Sequence, residues 1–226
     1  MGLRAMLLEI NATADGDTRF AGVAWDCHIP IPAFRGGSVY ALLSNGFLLP
    51  AHLREEHVPG SWTIFYASGG VGWVVPIEDE SGILVAVFGD LWPSGIDLEV
   101  QDYREWGSNV YSLRNWLFTD FYMAEGQRIR ALMYLYFYSS SDELERAEER
   151  VIEMAARLAQ GEDVDSIKAE IMKSLMLEEA AAERRRQGPP PALLAFLAFV
   201  AATGAVIAYA IFRGRRREQG LHKRER

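Results

Sequence analysis

The sequence has little of what common catalytic and metal sites are built from. Cys27 is its only cysteine, and it has four histidines in 226 residues. A single thiol excludes an intrachain disulfide but does not settle the redox compartment. The sequence contains no P-loop, no Gly-x-Ser-x-Gly nucleophile motif and no His-Glu-x-x-His zinc motif. We therefore assign no catalytic, cofactor-binding or metal-ligating residue, and we expect no cofactor.

Scattered polar residues leave one alternative open. His52 and His57 lie five positions apart in the segment HLREEH, which would place them on different faces of a helix. Surface-loop residues are the simpler interpretation of this segment. If the protein is an enzyme, its site would have to be assembled from residues distant in sequence. Our candidates are Asp26, His28, His52 and Glu55.

Charge is divided unevenly along the chain. The residues after 212 carry seven Lys or Arg and two Glu, a balance of +5. The remainder carries 16 basic and 29 acidic residues, a balance of −13. A nucleic-acid partner requires a basic face, so the acidic part argues against one. The basic tail suits an anionic membrane surface.

The main feature of the C-terminal part is one long apolar run, from Ala192 to Phe212. It contains no charged side chain. As a helix rising about 1.5 Å per residue, it is about 31 Å long, the thickness of a bilayer core. Prolines at 189–191 precede it, and four arginines follow within 213–217. We predict a single transmembrane helix, whose anchor residues include Ala192, Phe196, Phe199, Gly204, Tyr209 and Phe212.

Two signals about the orientation of this helix conflict. Within about twenty residues of the helix, four basic residues lie on its N-terminal side and seven on its C-terminal side. This excess predicts a cytoplasmic tail and an extracytoplasmic domain at the cell membrane. The apolar run near the N-terminus, however, reaches Glu9 too early for a signal-peptide core. We follow the charge rule. The alternative is a tail-anchored protein with a cytoplasmic domain.

The first 139 residues have the pattern of a mostly antiparallel sheet of six to eight strands. The segment 96–101 alternates apolar and polar side chains, which predicts a strand with one solvated face. The runs 83–92 and 127–139 are apolar on both faces and predict inner strands. Ser68-Gly69-Gly70 and Glu125-Gly126 predict hairpin turns between the runs that flank them.

The pattern then changes to helical. Residues 140–160 place apolar side chains on one face, with a capping box at Ser140 and Glu143 and a stop at Gly161. A second helix begins at about Val164, after the cap residue Asp163. We predict an α+β fold in which one or two amphipathic helices pack on the sheet, followed by a single C-terminal transmembrane helix. The predicted units are an α+β soluble domain (1–161), a helical stalk (162–187), a Gly/Pro hinge (188–191), the transmembrane helix (192–212) and a basic tail (213–226).

Aromatic residues are unusually frequent between positions 103 and 122. If their rings are exposed, they could bind a glycan, an apolar ligand or a partner protein. The alternative is that they belong to the core, as strand aromatics often do. The candidate partner or ligand patch consists of Tyr103, Trp106, Tyr111 and Trp116.

Together these features predict a single-pass, membrane-anchored and non-catalytic binding or assembly module. Its sheet domain would meet a protein partner at the membrane. That partner is either another membrane protein or a second copy of this chain, because small residues near Gly204 let two membrane helices approach closely. The alternative is a membrane-anchored enzyme that uses the scattered Asp, His and Glu residues.

Overall fold

The computed structural model of the chain describes residues 5–78, 80–90 and 95–183, with the backbone alone over 178–183. The described residues form nine strands: β1 Ala5–Thr13, β2 Thr18–Pro30, β3 Ser38–Leu43, β4 Leu48–His52, β5 Thr63–Glu78, β6 Ser81–Gly89, β7 Ile96–Asp102, β8 Val110–Met123 and β9 Arg128–Tyr138. The helices are α1 Ile31–Phe34, α2 Ser141–Ala159 and α3 Val164–Glu183, with a 3₁₀ turn over Tyr103–Trp106.

All nine strands belong to one curled antiparallel sheet. Its order is β1-β9-β6-β5-β7-β8-β2, and β3 pairs with both β5 and β4. The predicted α+β class and the mostly antiparallel sheet are confirmed. We divide the sheet into a helix-covered half (β1, β9, β6, the end of β5, and β3) and an open half (the start of β5, β7, β8 and β2). The ninth strand, β4, lies beyond β3.

The strand β5 passes from one half to the other, so the hairpin predicted at Ser68-Gly69-Gly70 is wrong. Ala67 still pairs with β7, whereas from Gly72 onward β5 pairs with β6. Gly69 has a positive φ of 73°. A Cβ atom at Gly72 would collide with the backbone of β6. The glycines therefore bend the strand and allow a close approach, and they do not reverse its direction.

The turn at Glu125-Gly126 joins β8 to β9, but these two strands, both fully described, do not pair with each other as predicted. β8 pairs with β7 and β2, and β9 pairs with β6 and β1. The β1–β2 turn lies beside this turn. The Ala14 N–H donates to the Gln127 carbonyl (2.9 Å), and the Gly126 N–H donates to the Ala14 carbonyl (2.8 Å). Each of these two turns therefore connects a strand of the helix-covered half to a strand of the open half.

The helices α2 and α3 cover one face of the helix-covered half. The predicted capping box starts α2: the Ser140 hydroxyl accepts from the Glu143 N–H (3.3 Å), and the Glu143 carboxylate accepts from the Ser139 N–H (2.9 Å). Asp163 caps α3 by accepting from the Ser166 N–H (2.9 Å). Buried residues at this interface include Leu84, Phe88, Leu132, Tyr134, Val151, Met154, Ile167 and Ile171.

Part of the segment predicted as a stalk, 162–187, packs on the sheet. In α3, Val164, Ile167 and Ile171 are buried against the same core as α2. Lys168 of this helix forms an ion pair with Glu9 of β1 (2.5 Å). The first turns of α3 therefore belong to the folded α+β domain, because they bury apolar surface that the sheet would otherwise expose.

The strands β6 and β9 are buried on both faces, which confirms their prediction as inner strands. On β9, Tyr134 and Tyr136 face the helices, and Met133 and Leu135 face the opposite way. On that opposite side, the Cys27 Sγ of β2 lies 3.8 Å from the Met133 Sδ. The two halves of the curled sheet therefore enclose a shared apolar interior.

The predicted hinge (188–191), transmembrane helix (192–212) and tail (213–226) lie outside the described residues. Within the part of the chain that the structure describes, no helix is long and apolar enough to cross a membrane.

Candidate binding face

The open half of the sheet turns one face to the interior and the other away from it. On β7, Ile96, Leu98 and Val100 are buried and alternate with polar residues, as predicted. The strand registers bring the outward side chains of the four strands together. We call this surface the polar face. It consists of Asp26, His28, Thr63, Asp97, Glu99, Gln101, Ser112, Arg114 and Trp116, with Tyr103 at the end of β7.

The polar face is shielded from solvent at Glu99 and Gln101, so the prediction of a solvated face is wrong for these two residues of β7, whereas Asp97 is partly exposed. Glu99 is only 7% exposed and Gln101 only 5%. Long side chains from the flanking strands cover them, and a buried carboxylate then needs hydrogen-bond partners. Glu99 has two: the Thr63 hydroxyl donates to Oε1 (2.5 Å), and the Trp116 indole N–H donates to Oε2 (2.8 Å).

An arginine–aspartate pair lies at the centre of the polar face. Arg114 of β8 donates through Nε and Nη2 to the two carboxylate oxygens of Asp26 of β2, at 2.8 and 2.7 Å. The Tyr103 hydroxyl accepts from Arg114 Nη2 (2.7 Å) and donates to Asp26 (3.2 Å). The guanidinium also lies 4.9 Å from the centre of the Trp116 ring. These contacts hold the charged groups of Arg114 and Asp26 in fixed positions.

Exposed aromatic rings border this network. Trp62, Tyr66 and Trp106 are 42%, 55% and 55% exposed, and we call them the aromatic rim. The rings of Trp62 and Trp106 are centred 5.9 Å apart, and the Tyr103 ring lies 5.0 Å from that of Trp106. The Tyr66 hydroxyl donates to Asp97 (2.5 Å). Tryptophan, tyrosine and arginine are the residues that dominate binding energy at protein interfaces.

A second network fastens the loop 53–62 to the 3₁₀ turn. Asp102 is fully buried and accepts from the Arg104 backbone N–H (3.1 Å), Nε (2.9 Å) and Nη2 (2.7 Å). Arg104 also donates to the carbonyls of Arg54 (3.2 Å) and Glu55 (3.0 Å). The loop ends at Trp62 and the turn ends at Trp106, so these bonds position both tryptophans of the aromatic rim.

The protonation states of Cys27 and His28 on β2 do not suit a nucleophile and its general base. Burial raises the pKa of the Cys27 thiol to about 12, with a further contribution from Asp26. Burial lowers the pKa of His28, which outweighs the opposite effect of Asp26. Neighbours on a strand point to opposite faces, so the protonated thiol faces the interior and the neutral imidazole the polar face. Cys27 and His28 therefore do not form a nucleophile–base pair.

The structure brings together three of the four aromatic residues predicted as a patch. Tyr103 and Trp116 belong to the polar face, and Trp106 belongs to the aromatic rim beside it. Tyr111 is fully buried on the opposite side of β8, where its hydroxyl donates to the Arg54 carbonyl. It therefore presents no exposed ring.

The four residues of the alternative catalytic site, Asp26, His28, His52 and Glu55, do not all lie together in the structure. Asp26 and His28 share the polar face. His52 Nδ1 instead lies 2.8 Å from the Ser38 hydroxyl, and the Glu55 side chain lies against Gly36. No contact within the described residues joins either of these to the first pair. No group of three or more His, Cys, Asp or Glu side chains in the described ranges could hold a metal ion.

Sequence reasoning missed Trp62, Tyr66 and Arg114 as site residues. A signal for Arg114 was available, because Ser112, Arg114 and Trp116 alternate with the buried Leu113 and Asn115 along β8. Its partner Asp26 lies 88 positions away, and only the tertiary pairing of β2 with β8 brings them together.

No protein-family model, curated protein or solved structure matches the chain. Any functional assignment therefore depends on the chemistry of the polar face itself.

Proposed function

We propose that the protein is a membrane-anchored, non-catalytic binding module that presents the polar face and the aromatic rim to a protein partner at the membrane. The observation that carries this proposal is the exposed pair Trp62 and Trp106 beside a hydrogen-bonded polar network. The carboxylates of Asp26, Asp97 and Glu99 all have partners within the chain. Such a surface is preorganised for binding, and binding to it requires little further ordering of side chains.

The charge of the polar face suggests the character of the partner. It carries three carboxylates and one guanidinium, Arg114, so an anionic ligand is disfavoured. A partner with a basic or neutral contact surface fits better, and nucleic acid does not fit. The tryptophans would supply most of the contact energy, and the charges would set the orientation of the partner.

The proposal includes a single-pass anchor over 192–212 and an extracytoplasmic domain, with the basic tail in the cytoplasm. Its support is the apolar run and the excess of basic residues after it. Protease added to spheroplasts should remove the domain and leave a tail epitope intact. A fully protected domain would instead identify a tail-anchored cytoplasmic protein.

Site-specific photo-crosslinking in the native membrane tests the binding face. A photoreactive phenylalanine derivative at Trp106 should give one recurring crosslinked product. The control places the same probe at Tyr122, which is 56% exposed, close to the 55% of Trp106, and lies near the far end of β8. A product of twice the chain mass would identify a second copy as the partner. Equal products from both positions, or none from position 106, would contradict the proposal.

One observation favours the enzyme alternative. The Nε2 atom of His28 is buried and has no hydrogen-bond partner in the described structure. A neutral imidazole with a free nitrogen can accept a proton from a substrate. A metabolite mixture incubated with the wild-type protein and with His28→Gln separates the two functions. A compound consumed only by the wild type would favour the enzyme, and unchanged mixtures with an unchanged crosslink at 106 would favour the module.

A further inference from the structure

We propose that His57 is a proton-operated latch that fastens the loop 53–62 to the 3₁₀ turn and thereby fixes the aromatic rim. Protonation of the imidazole closes the latch, and loss of the proton loosens it. The role of the latch in controlling partner binding rests on the proposed function. The latch itself rests only on the contacts of the histidine.

The imidazole of His57 lies between two carboxylates. Its Nε2 is 3.2 Å from Glu105 Oε2, and its Nδ1 is 3.5 Å from Asp102 Oδ2. The ring is 26% exposed, and Asp102 is fully buried. The Nδ1 atom is itself buried and makes no hydrogen bond of normal geometry in the described structure.

A neutral imidazole carries one N–H, so it can donate to only one of these two carboxylates. With the proton on Nε2, the ring donates to Glu105 and turns a bare Nδ1 lone pair toward Asp102. A second proton converts Nδ1 into a donor that points at a buried carboxylate. The imidazolium then joins the loop to both Asp102 and Glu105 by charge-assisted hydrogen bonds.

The elements packed against His57 carry charges of both signs. The end of β7 contributes Asp102, and the 3₁₀ turn contributes Glu105 and Arg104. The loop contributes Arg54, whose guanidinium donates to the Ser61 carbonyl. It also carries Glu56 and Glu55, and the Glu55 side chain lies against Gly36. From β8, the neutral Tyr111 hydroxyl reaches the Arg54 carbonyl.

Asp102 is held in its charged form. Burial alone would raise the pKa of Asp102, but the hydrogen bonds from Arg104 and its positive charge together hold the pKa below its ordinary value. Because Arg104 is already bound to Asp102, its charge offsets one of the two carboxylates beside the imidazole. Glu105 accepts only from the Gly60 N–H and the histidine among its described contacts.

The two joined segments carry the two tryptophans of the aromatic rim. Trp62 ends the loop and Trp106 ends the turn, and their rings are centred 5.9 Å apart. When the latch is open, the loop keeps its bonds to Arg104 but loses a donor to Asp102. The relative position of the two rings then becomes less defined, so their fluorescence and near-UV dichroism report the state of the latch.

The test uses the full-length chain without a partner, titrated from pH 8 to pH 5. We expect the His57 ring resonances and the tryptophan signal to change together. Protection factors of the amides at 54–61 should be about threefold to tenfold higher at the acidic end, in line with one added charge-assisted hydrogen bond. His57→Gln should abolish the tryptophan transition, and Glu105→Gln should move it to lower pH.

His52→Gln is the matched control, because His52 lies just before the same loop but contacts Ser38. This variant should keep the transition. Persistence of the transition in His57→Gln, or its loss in His52→Gln, would overturn the latch. Failure of the proposed function would appear separately, as loss of the crosslink at 106, and would leave these readings in the free protein unchanged.

Discussion

The two halves of the sheet share one apolar interior, yet they cover their outer faces in different ways. In the helix-covered half, apolar residues such as Leu132 and Tyr134 are buried by α2 and α3. In the open half, no described helix lies on the polar face. Glu99 there is shielded by hydrogen-bonded side chains of the neighbouring strands, Thr63 and Trp116.

Because of this difference, we expect one half of the sheet to supply stability and the other to supply the binding surface. A large apolar side chain buried by a helix contributes about 1.5–3 kcal/mol. A hydrogen bond exchanged with water contributes about 1 kcal/mol. The helix-covered half should therefore supply most of the stability, and the open half can present exposed tryptophans without weakening the fold. Substitutions in the two halves should differ accordingly.

Removal of the predicted anchor should have the largest effect on whether the protein needs detergent, and the smallest effect on the folding of the domain. A chain that ends at Gln187 should purify without detergent and unfold in one cooperative transition, because the described sheet and helices bury their apolar faces against each other and the remaining surface is acidic. Size-exclusion chromatography and urea unfolding measure both properties. Recovery only from inclusion bodies would mean that part of the domain surface is itself an interface.

Met154→Ala should be the most destabilising of the substitutions considered. Met154 of α2 is 1% exposed within the helix-covered core, so truncation leaves a cavity that costs about 3 kcal/mol. The matched control is Met176→Ala on α3, where the side chain is 63% exposed and should tolerate truncation. Urea unfolding of the chain ending at Gln187 gives both values. Equal losses would mean that α2 does not supply the stability assigned to it.

Asp26→Asn should cost about 2 kcal/mol, because it leaves the partly desolvated Arg114 without its anion. A second bidentate pair, Arg19 with Asp120, joins the same two strands but is 72% and 65% exposed. Water screens such a pair, so Asp120→Asn should leave the unfolding midpoint unchanged. If the two substitutions prove equally harmless, the Arg114–Asp26 pair does not organise the polar face.

Glu148→Gln should raise stability by about 1 kcal/mol at neutral pH, because one carboxylate oxygen of Glu148 is buried without a partner in the described structure. Burial raises the pKa of Glu148, and Glu145 raises it further. The folded state therefore holds this proton more tightly, and the wild type loses stability as pH rises through the raised pKa. The gain in the variant should vanish near pH 4, and the exposed control Glu149→Gln should show none.

The sequence predicted well wherever a local pattern decides the structure. The capping box at Ser140, the cap at Asp163 and the two buried faces of β9 follow from periodicity and capping, and the structure confirms them. Hairpins at Gly69 and Gly126 were predicted wrongly, because glycine permits a bend or a crossing as readily as a reversal. Strand pairing is a long-range property that local turn chemistry does not encode.

The candidate site was predictable only in part, for the same reason. The aromatic enrichment pointed to Tyr103, Trp106 and Trp116, which do lie together. Alternation on β7 suggested that Glu99 is solvated, because a polar residue on a strand usually faces water. Its burial depends on Thr63 and Trp116, which strand pairing brings to either side of it.

The central claim is that the aromatic rim serves binding and not stability. Its most direct test combines Trp106→Ala with a photoreactive probe at Tyr66 in the full-length chain. We predict that the substitution changes the free energy of unfolding by no more than about 1 kcal/mol, because the ring is 55% exposed and loses only its contacts with Tyr103 and Trp62. It should also reduce the partner crosslink from position 66 at least about tenfold, as expected for an interface hot spot. An undiminished crosslink in a folded variant would contradict the claim, and so would a crosslink that disappears only because the domain unfolds.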